Sequence, residues 1–526
     1  MNRTSTVPLR DRRAVRSWSA SAVILGLLLL PAVATADGDK LSQVTQSQAK
    51  PDFVWRDLVR LQNVPTTIDG RGVGVALIDS GVTDVPDLHD RVVARVDFTE
   101  EQDGLDTYGH GTHMAGIIVG DGSSSDGKWQ GVAPGANLIS LKVASWNGAT
   151  DTSSVIAALR WVVTNRERYN IRVVNLSFGT DGRQSYRDDP LDRAVERVWE
   201  AGIVVVVAAG NSGGAVAKPG DDPRVVTVGS FDHRNTLRSN DDRVAEFSPR
   251  GPTQDGIEKP DIVAPGVLIV STRAAGSTLD AARPEALRVG DYVKGTGTSQ
   301  SAAIVAGVAA RVLQANPTLT PDEVKSLLID TTDEDLVGQA GAGHGAVDAR
   351  RAVDAARGLR PWARPSALPE PSSGMGTLEG TRGSAHVYAD LQGIGEPEVV
   401  AGEVDVLGLG FDAAEVATTP WTRQTWLTSP WAAIAVETPG FTTTPVSEPV
   451  WGGVSSDVSS WDARGWTARG WTARGWTARG WTARGWTARG WTARGWTARG
   501  WTARGWTARG WTARGWTARG WTARGW

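Results

Sequence analysis

Between about residues 70 and 355 the chain alternates short apolar runs with longer stretches of helical periodicity. The runs 74–78, 137–141, 173–177, 203–208 and 225–228 are mostly uninterrupted, as expected of strands buried on both faces of a parallel sheet. Helical patterns near 152–168, 189–201 and 300–315 lie between and after them. This alternation predicts a doubly wound α/β fold, a mostly parallel sheet with helices on both faces. Upstream, 52–64 reads as a helix: Asp52 is a cap, Phe53, Leu58 and Leu61 lie near one face, and Pro65 follows its end. Downstream, Pro361, Pro365, Pro369 and Pro371 open a segment with no long periodic pattern. Residues 359–460 are therefore expected to be a linker or a small β-rich region.

The two ends depart from this pattern. Arg10, Arg12, Arg13 and Arg16 precede the apolar run 22–30, which is too short to span a bilayer comfortably, and Ala34-Thr35-Ala36 offers a small-x-small cleavage site. Residues 1–36 read as a secretory signal peptide, with Arg12-Arg13 leaving twin-arginine export open. Residues 37–59 form an N-terminal segment and 60–358 the main domain. From 461 to 526 the chain is a repeat: WDARG, twelve copies of WTARG, and Trp526. Five residues advance about 500° around a helix, and an odd period alternates faces in a strand, so neither element gathers the Trp side chains on one side. An extended or weakly structured tail is expected.

Charge separates the body from the tail. The tail carries thirteen Arg and one Asp, a balance of +12, which leaves the rest at −15 within a total of −3. Trp stacks on sugars or sits at membrane interfaces, and Arg binds carboxylate or phosphate. The repeat is thus a candidate multivalent binder of anionic cell-wall polymer or a membrane surface. Nucleic acid fits the same chemistry without a folded platform, and a repeat with no ligand is the plain alternative. The chain has no Cys, so a nucleophile must be an oxygen.

Three motifs carry chemistry: Ala-Leu-Ile-Asp79-Ser-Gly after a buried run, Gly-His110-Gly-Thr-His113-Met, and Gly-Thr-Gly-Thr-Ser299-Gln-Ser at a helix start. Together they provide a carboxylate, an imidazole and a hydroxyl, the groups serine hydrolysis needs, in the order Asp, His, Ser. Taken singly, each has a plainer reading. Asp79 suits a turn, and Ser299 suits an N-cap. His110 and His113, three apart, invite a metal but lack the Glu of a helical zinc site. Asn211, in Ala-Ala-Gly-Asn-Ser-Gly, is able to donate to an oxyanion, although Asn-Ser-Gly alone suits a turn.

Jointly the motifs resemble those of the subtilisin-like serine peptidases over about residues 60–358. The likeness extends to Gly131-Val-Ala-Pro-Gly-Ala136, Asn175-Leu-Ser-Phe-Gly179, Lys259-Pro-Asp-Ile-Val-Ala-Pro-Gly266 and Gly341-Ala-Gly-His-Gly-Ala-Val-Asp348. It implies a subtilisin-like fold and an acyl-enzyme endopeptidase needing no cofactor for its chemistry. Ser299 would attack, His110 would act as base and then acid, Asp79 would orient it, and Asn211 would steady the oxyanion. Ser177, Phe178 and Gly179 would pair with an extended substrate. Substrates would be proteins or peptides, and the enzyme a secreted monomer, held at the cell wall if the tail binds there. Many relatives bind structural calcium, for which Asp87 and the 121–126 loop are candidates. Gln300 and Ala303 replace the Met and Pro of the usual family motif. Only about fifteen residues separate Ala36 from the first predicted helix, too few for a folding pro-domain there. The competing reading is a non-catalytic surface binding protein on the same fold.

Overall fold

A computed structural model describes residues 55–282, 288–365, 368–389, 391 and 398–439. The signal-peptide and repeat-tail expectations lie outside these residues. Six parallel strands form the centre: β1 (Gly74–Asp79), β2 (Val92–Asp97), β3 (Asn137–Lys142), β4 (Ile171–Leu176), β5 (Val204–Ala208) and β6 (Val226–Asp232). Their spatial order is β2-β3-β1-β4-β5-β6. The chain leaves β1 outward to β2, returns through β3 beside β1, and then crosses to β4. The winding direction thus reverses at β1, the position where open α/β sheets present functional groups. Every residue of β1 and β5 is buried, which explains why these runs read as continuously apolar.

Four helices matter for the site: α1 (His110–Val119), α2 (Thr152–Asn165), α3 (Pro190–Glu200) and α4 (Thr298–Ala315). Helix α1 packs against α4, and α2 against α3, so the pairs cover the two faces of the sheet. The starts of α2 and α3 are capped by Asp151 and Asp189, whose carboxylates accept first-turn backbone N–H groups. Helix α4 has a small-residue face of Ala302, Ala303, Ala306 and Gly307, all buried. A Cβ on Gly307 would lie 2.5 Å from Val132 Cβ, so glycine is what allows that approach.

One expectation fails locally. The helix expected over 52–64 is instead two 3-10 turns, Trp55–Asp57 and Leu61–Asn63, and Asp52 lies outside the described residues. Arg60 sits between them in the left-handed region (φ 58°). Tertiary partners outweigh helix propensity here. Arg60 pairs with Asp333 and, at 3.0 Å, with Asp348, and the Val59 carbonyl accepts the Ala349 N–H.

Within the expected linker or small β-rich region, the described parts of 368–439 form a strap laid on the main domain, in which the short strands Tyr388–Ala389 and Glu398–Val399 pair antiparallel. It holds short helices at Leu378–Arg382, Ala413–Thr418 and Arg423–Leu427, too brief for a periodic signal. Arg382 is fully buried and bonds Asp151, the α2 cap, at 2.8 and 3.2 Å, together with the carbonyls of Gly402 and Val404. Trp426 packs edge-on to Phe98. The final described strand, Val436–Pro439, pairs antiparallel with β2 and covers the sheet edge that β2 would otherwise expose. No helix among the described residues is long and apolar enough to cross a membrane.

Candidate active site

Asp79 is the last residue of β1, at the switch point of the sheet. His110 is the first residue of α1. The two side chains meet: His110 Nδ1 lies 2.8 Å from Asp79 Oδ1 and 2.9 Å from Oδ2, with the residues 2% and 5% exposed. Glycines make this possible. Gly109 leads into α1 with φ 108°, and a Cβ on Gly111 would collide with the Gly81 carbonyl and crowd Asp79 Oδ1. An imidazole whose Nδ1 faces a carboxylate presents Nε2 as the base toward a nucleophile.

Ser299 is the second residue of α4, buried, on the helix that packs against α1. The helix N-terminus directs backbone N–H groups and a positive dipole end at this position. Asn211 follows β5. Its Oδ1 accepts the Thr298 N–H at 2.9 Å and the Thr298 hydroxyl at 3.0 Å. With the carbonyl oxygen so engaged, the amide orientation is set and Nδ2 is left to donate. A Cβ on Gly297 would stand 3.5 Å from that Nδ2, so glycine keeps the space beside it open. Ser177 donates to the Ser299 carbonyl at 3.4 Å and accepts from Asn175 Nδ2 at 3.0 Å, which ties the 177–179 segment to the start of α4. Phe178 is buried. Gly179, Gly210, Asn211, Ala217 and Asp221 line part of a 430 Å³ cavity. All seven residues singled out from the motifs therefore lie around the start of α4, the end of β1 and this cavity.

The calcium candidates do not fit a cation. Asp87 accepts the Ser124 N–H at 2.9 Å on one oxygen and the Tyr292 hydroxyl on the other, and Asp121 Oδ1 accepts the Ser123 N–H. These carboxylates hold a loop together with donors already in place. Among the described residues no group of three His, Cys, Asp or Glu is arranged to hold a metal. His113 is fully buried. A Cβ on Gly295 would lie 2.8 Å from its Nε2 and 2.6 Å from Gln300 Nε2, so its ring lies against the strand Tyr292–Gly295 beside Gln300.

Sequence reading missed two groups. Ser80 and Asp106 form a buried hydrogen-bonded layer behind Asp79. The hint was Asp106 standing four residues before His110, a spacing that lets an acid cap the helix start. A second group surrounds Lys218, whose Nζ meets Asp192 at 2.7 Å, Asp221 at 2.8 Å and Asp189 at 3.4 Å, all buried. Nothing in the local pattern assembles those acids.

Residues 70–353 match the subtilase family. Serine protease AprX of Bacillus subtilis (strain 168) is 44% identical over 277 residues, covering 51% of this chain and 63% of the relative. Subtilisin Savinase of Lederbergia lenta is 34% identical over 265 residues, covering 50% of this chain and 84% of the relative. A solved protease of Pseudoalteromonas arctica aligns with a TM-score of 0.47 at 27% identity, over 57% of this chain and 94% of that one. The chain thus spans a little under two thirds of AprX. The family match takes in Asp79, His110, Asn211 and Ser299 and covers more than half of the sequence: the chain belongs to the subtilase family.

Proposed function

We propose that this protein is a secreted serine endopeptidase. The observation that supports this most is the buried contact between His110 Nδ1 and Asp79, made by the first residue of a helix that packs on the helix bearing Ser299. In this reading Ser299 Oγ attacks the scissile carbonyl while His110 takes its proton. Asp79 stabilises the resulting imidazolium. The oxyanion of the tetrahedral intermediate receives Asn211 Nδ2 and the Ser299 backbone N–H. His110 then protonates the leaving amine, and water hydrolyses the acyl-enzyme by the same steps in reverse order. An extended substrate lies along Ser177, Phe178 and Gly179, with one side chain entering the 430 Å³ cavity.

The test is direct. A fluorophosphonate probe is expected to label Ser299, and Ser299→Ala to abolish both labelling and peptide cleavage while circular dichroism stays unchanged. Labelling that persists in Ser299→Ala removes the assignment.

Export rests on the basic and apolar pattern of residues 1–36, and a monomer is the working state. The Trp/Arg repeat is proposed to hold the enzyme on anionic cell-wall polymer or lipid. Deleting 461–526 is expected to release activity into the medium; equal retention ends that idea.

A further inference from the structure

Behind the Asp79–His110 pair lies a second buried carboxylate that the mechanism above does not use. Asp106 Oδ1 accepts the Gly109 N–H at 2.6 Å and Oδ2 accepts the Thr112 N–H at 2.7 Å, so it closes the first turn of α1, which carries His110. The same Oδ1 lies 2.8 Å from Ser80 Oγ. Ser80 Oγ accepts the Gly111 N–H at 2.9 Å and lies 3.2 Å from Asp79 Oδ1. That Asp79 oxygen already takes the Ser80 N–H at 2.8 Å and faces His110 Nδ1. Ser80 and Asp106 are both buried, so water does not compete for these contacts.

A serine hydroxyl has a single hydrogen. Two carboxylates stand within its reach, and it donates fully to only one. Asp106 is the nearer by 0.4 Å, from contacts of 2.8 and 3.2 Å. We propose that Asp106 is a positioning residue that acts on His110 through Ser80: by accepting the Ser80 hydroxyl hydrogen it keeps that hydrogen off Asp79. The Asp79 carboxylate then keeps its full electron density for the imidazolium. The proposal rests on the catalytic reading given above.

The ionisable groups around this layer are Asp79 at the end of β1 and His110 on α1. On the 98–109 loop and β3 they are Glu101, Asp103 and Lys142, with Lys142 Nζ 2.9 Å from Glu101 and 3.1 Å from Thr107 Oγ1. Burial raises the Asp106 carboxyl above its ordinary range, and hydrogen bonds from Thr112, Gly109 and Ser80 draw it part of the way back.

Four proteins test this: the wild type, Asp106→Asn, Ser80→Ala and the double variant, each assayed for kcat, KM and the pH profile of kcat/KM. Asp106→Asn sets an amide against Ser80 Oγ and turns the hydroxyl onto Asp79. The imidazolium is then held less strongly. A fall in kcat of about tenfold is expected, with KM little changed and the acid limb of the profile moved about half a unit to lower pH. In the Ser80→Ala background the same substitution is expected to leave the acid limb in place. A shift that persists there acts through charge alone and overturns the proposal, as does a change confined to KM. Should Asp106→Asn fail to fold, the low-field proton resonance of His110 Nδ1–H decides. It is expected to hold its position in Ser80→Ala, because the lost hydrogen was not on Asp79; a displaced resonance overturns the proposal. Failure of the catalytic reading looks different, since Ser299→Ala would then still react with the probe.

Discussion

Two buried charge networks frame the cleft, one beneath His110 and one behind the cavity beside Asn211, and they are built on opposite principles. In the first, carboxylates meet donors fixed by the backbone: Ser80 N–H on Asp79, and Gly109 and Thr112 N–H on Asp106. Such donors come with the fold, and a helix start supplies several at once. In the second, Asp192 and Asp221 converge on the one ammonium of Lys218, with Asp189, itself held by the backbone at the start of α3, 3.4 Å away. Among the described residues, Oδ1 of Asp192 and Oδ1 of Asp221 have no hydrogen-bond partner. Burial lifts both carboxyls above their ordinary range, whereas Lys218 is held charged by them against its own burial. A network anchored on backbone donors tolerates the loss of one side chain better than a network anchored on one cation.

That contrast is breakable, and the largest effect belongs to the cation. Lys218→Met leaves buried acids without a counter-charge and is expected to cost about 3–5 kcal/mol of stability. Urea denaturation measures it, and a midpoint like that of the wild type would show that the acids are content without the lysine. On the other side of the cavity, Asn211→Ala removes the donor proposed above for the oxyanion. Steady-state kinetics should show kcat lower by about 10²–10³-fold, with thermal unfolding little moved; a change mainly in KM would assign Asn211 to substrate binding instead.

A smaller effect separates the networks by pH. Asp222, buried next to this cluster, is pushed up to about 8 by burial first and by Glu196 second. An unfolded chain titrates this acid near 4 (roughly 3.9). Its folded value is therefore raised, so the native state binds the extra proton between these values. Its contribution to stability is complete in acid and is lost as pH rises toward about 8. Asp222→Asn is expected to flatten that decline, and an unchanged slope of melting temperature against pH would remove Asp222 as its source.

The smallest effect is an absence of change. Gln300 follows Ser299, the proposed nucleophile, and Met114 is fully buried, so among the described residues no exposed thioether sits at the site. Activity is expected to survive hydrogen peroxide that oxidises Met375, which is 53% exposed. Inactivation with the fold intact would place a sensitive group near Ser299.

Legibility followed the same division. The strands β1, β3, β4, β5 and β6 were readable because burial on both faces makes them continuously apolar. β2 was not, because Arg95 and Asp97 interrupt it, each buried yet satisfied by Asp84 and the 99–104 loop. Ile262–Pro265 and Ile269–Thr272 were lost among the prolines and glycines around them. The four motif residues could be named because hydrolysis demands particular side chains next to particular glycines. Ser80 and Asp106 meet each other across 26 positions of chain, a contact that no local pattern records.

The amino-acid sequence alone determined the layered α/β class, the candidate reacting groups and the acidic body with its basic repeat, because periodicity, side-chain chemistry and charge are properties of short stretches. The tertiary structure alone decided that Arg60 breaks the first helix, that Val436–Pro439 covers the sheet edge, and which buried acids share a cation and which share a helix start. Those outcomes depend on desolvation and on partners brought from remote parts of the chain, and both arise only once the core has closed around them.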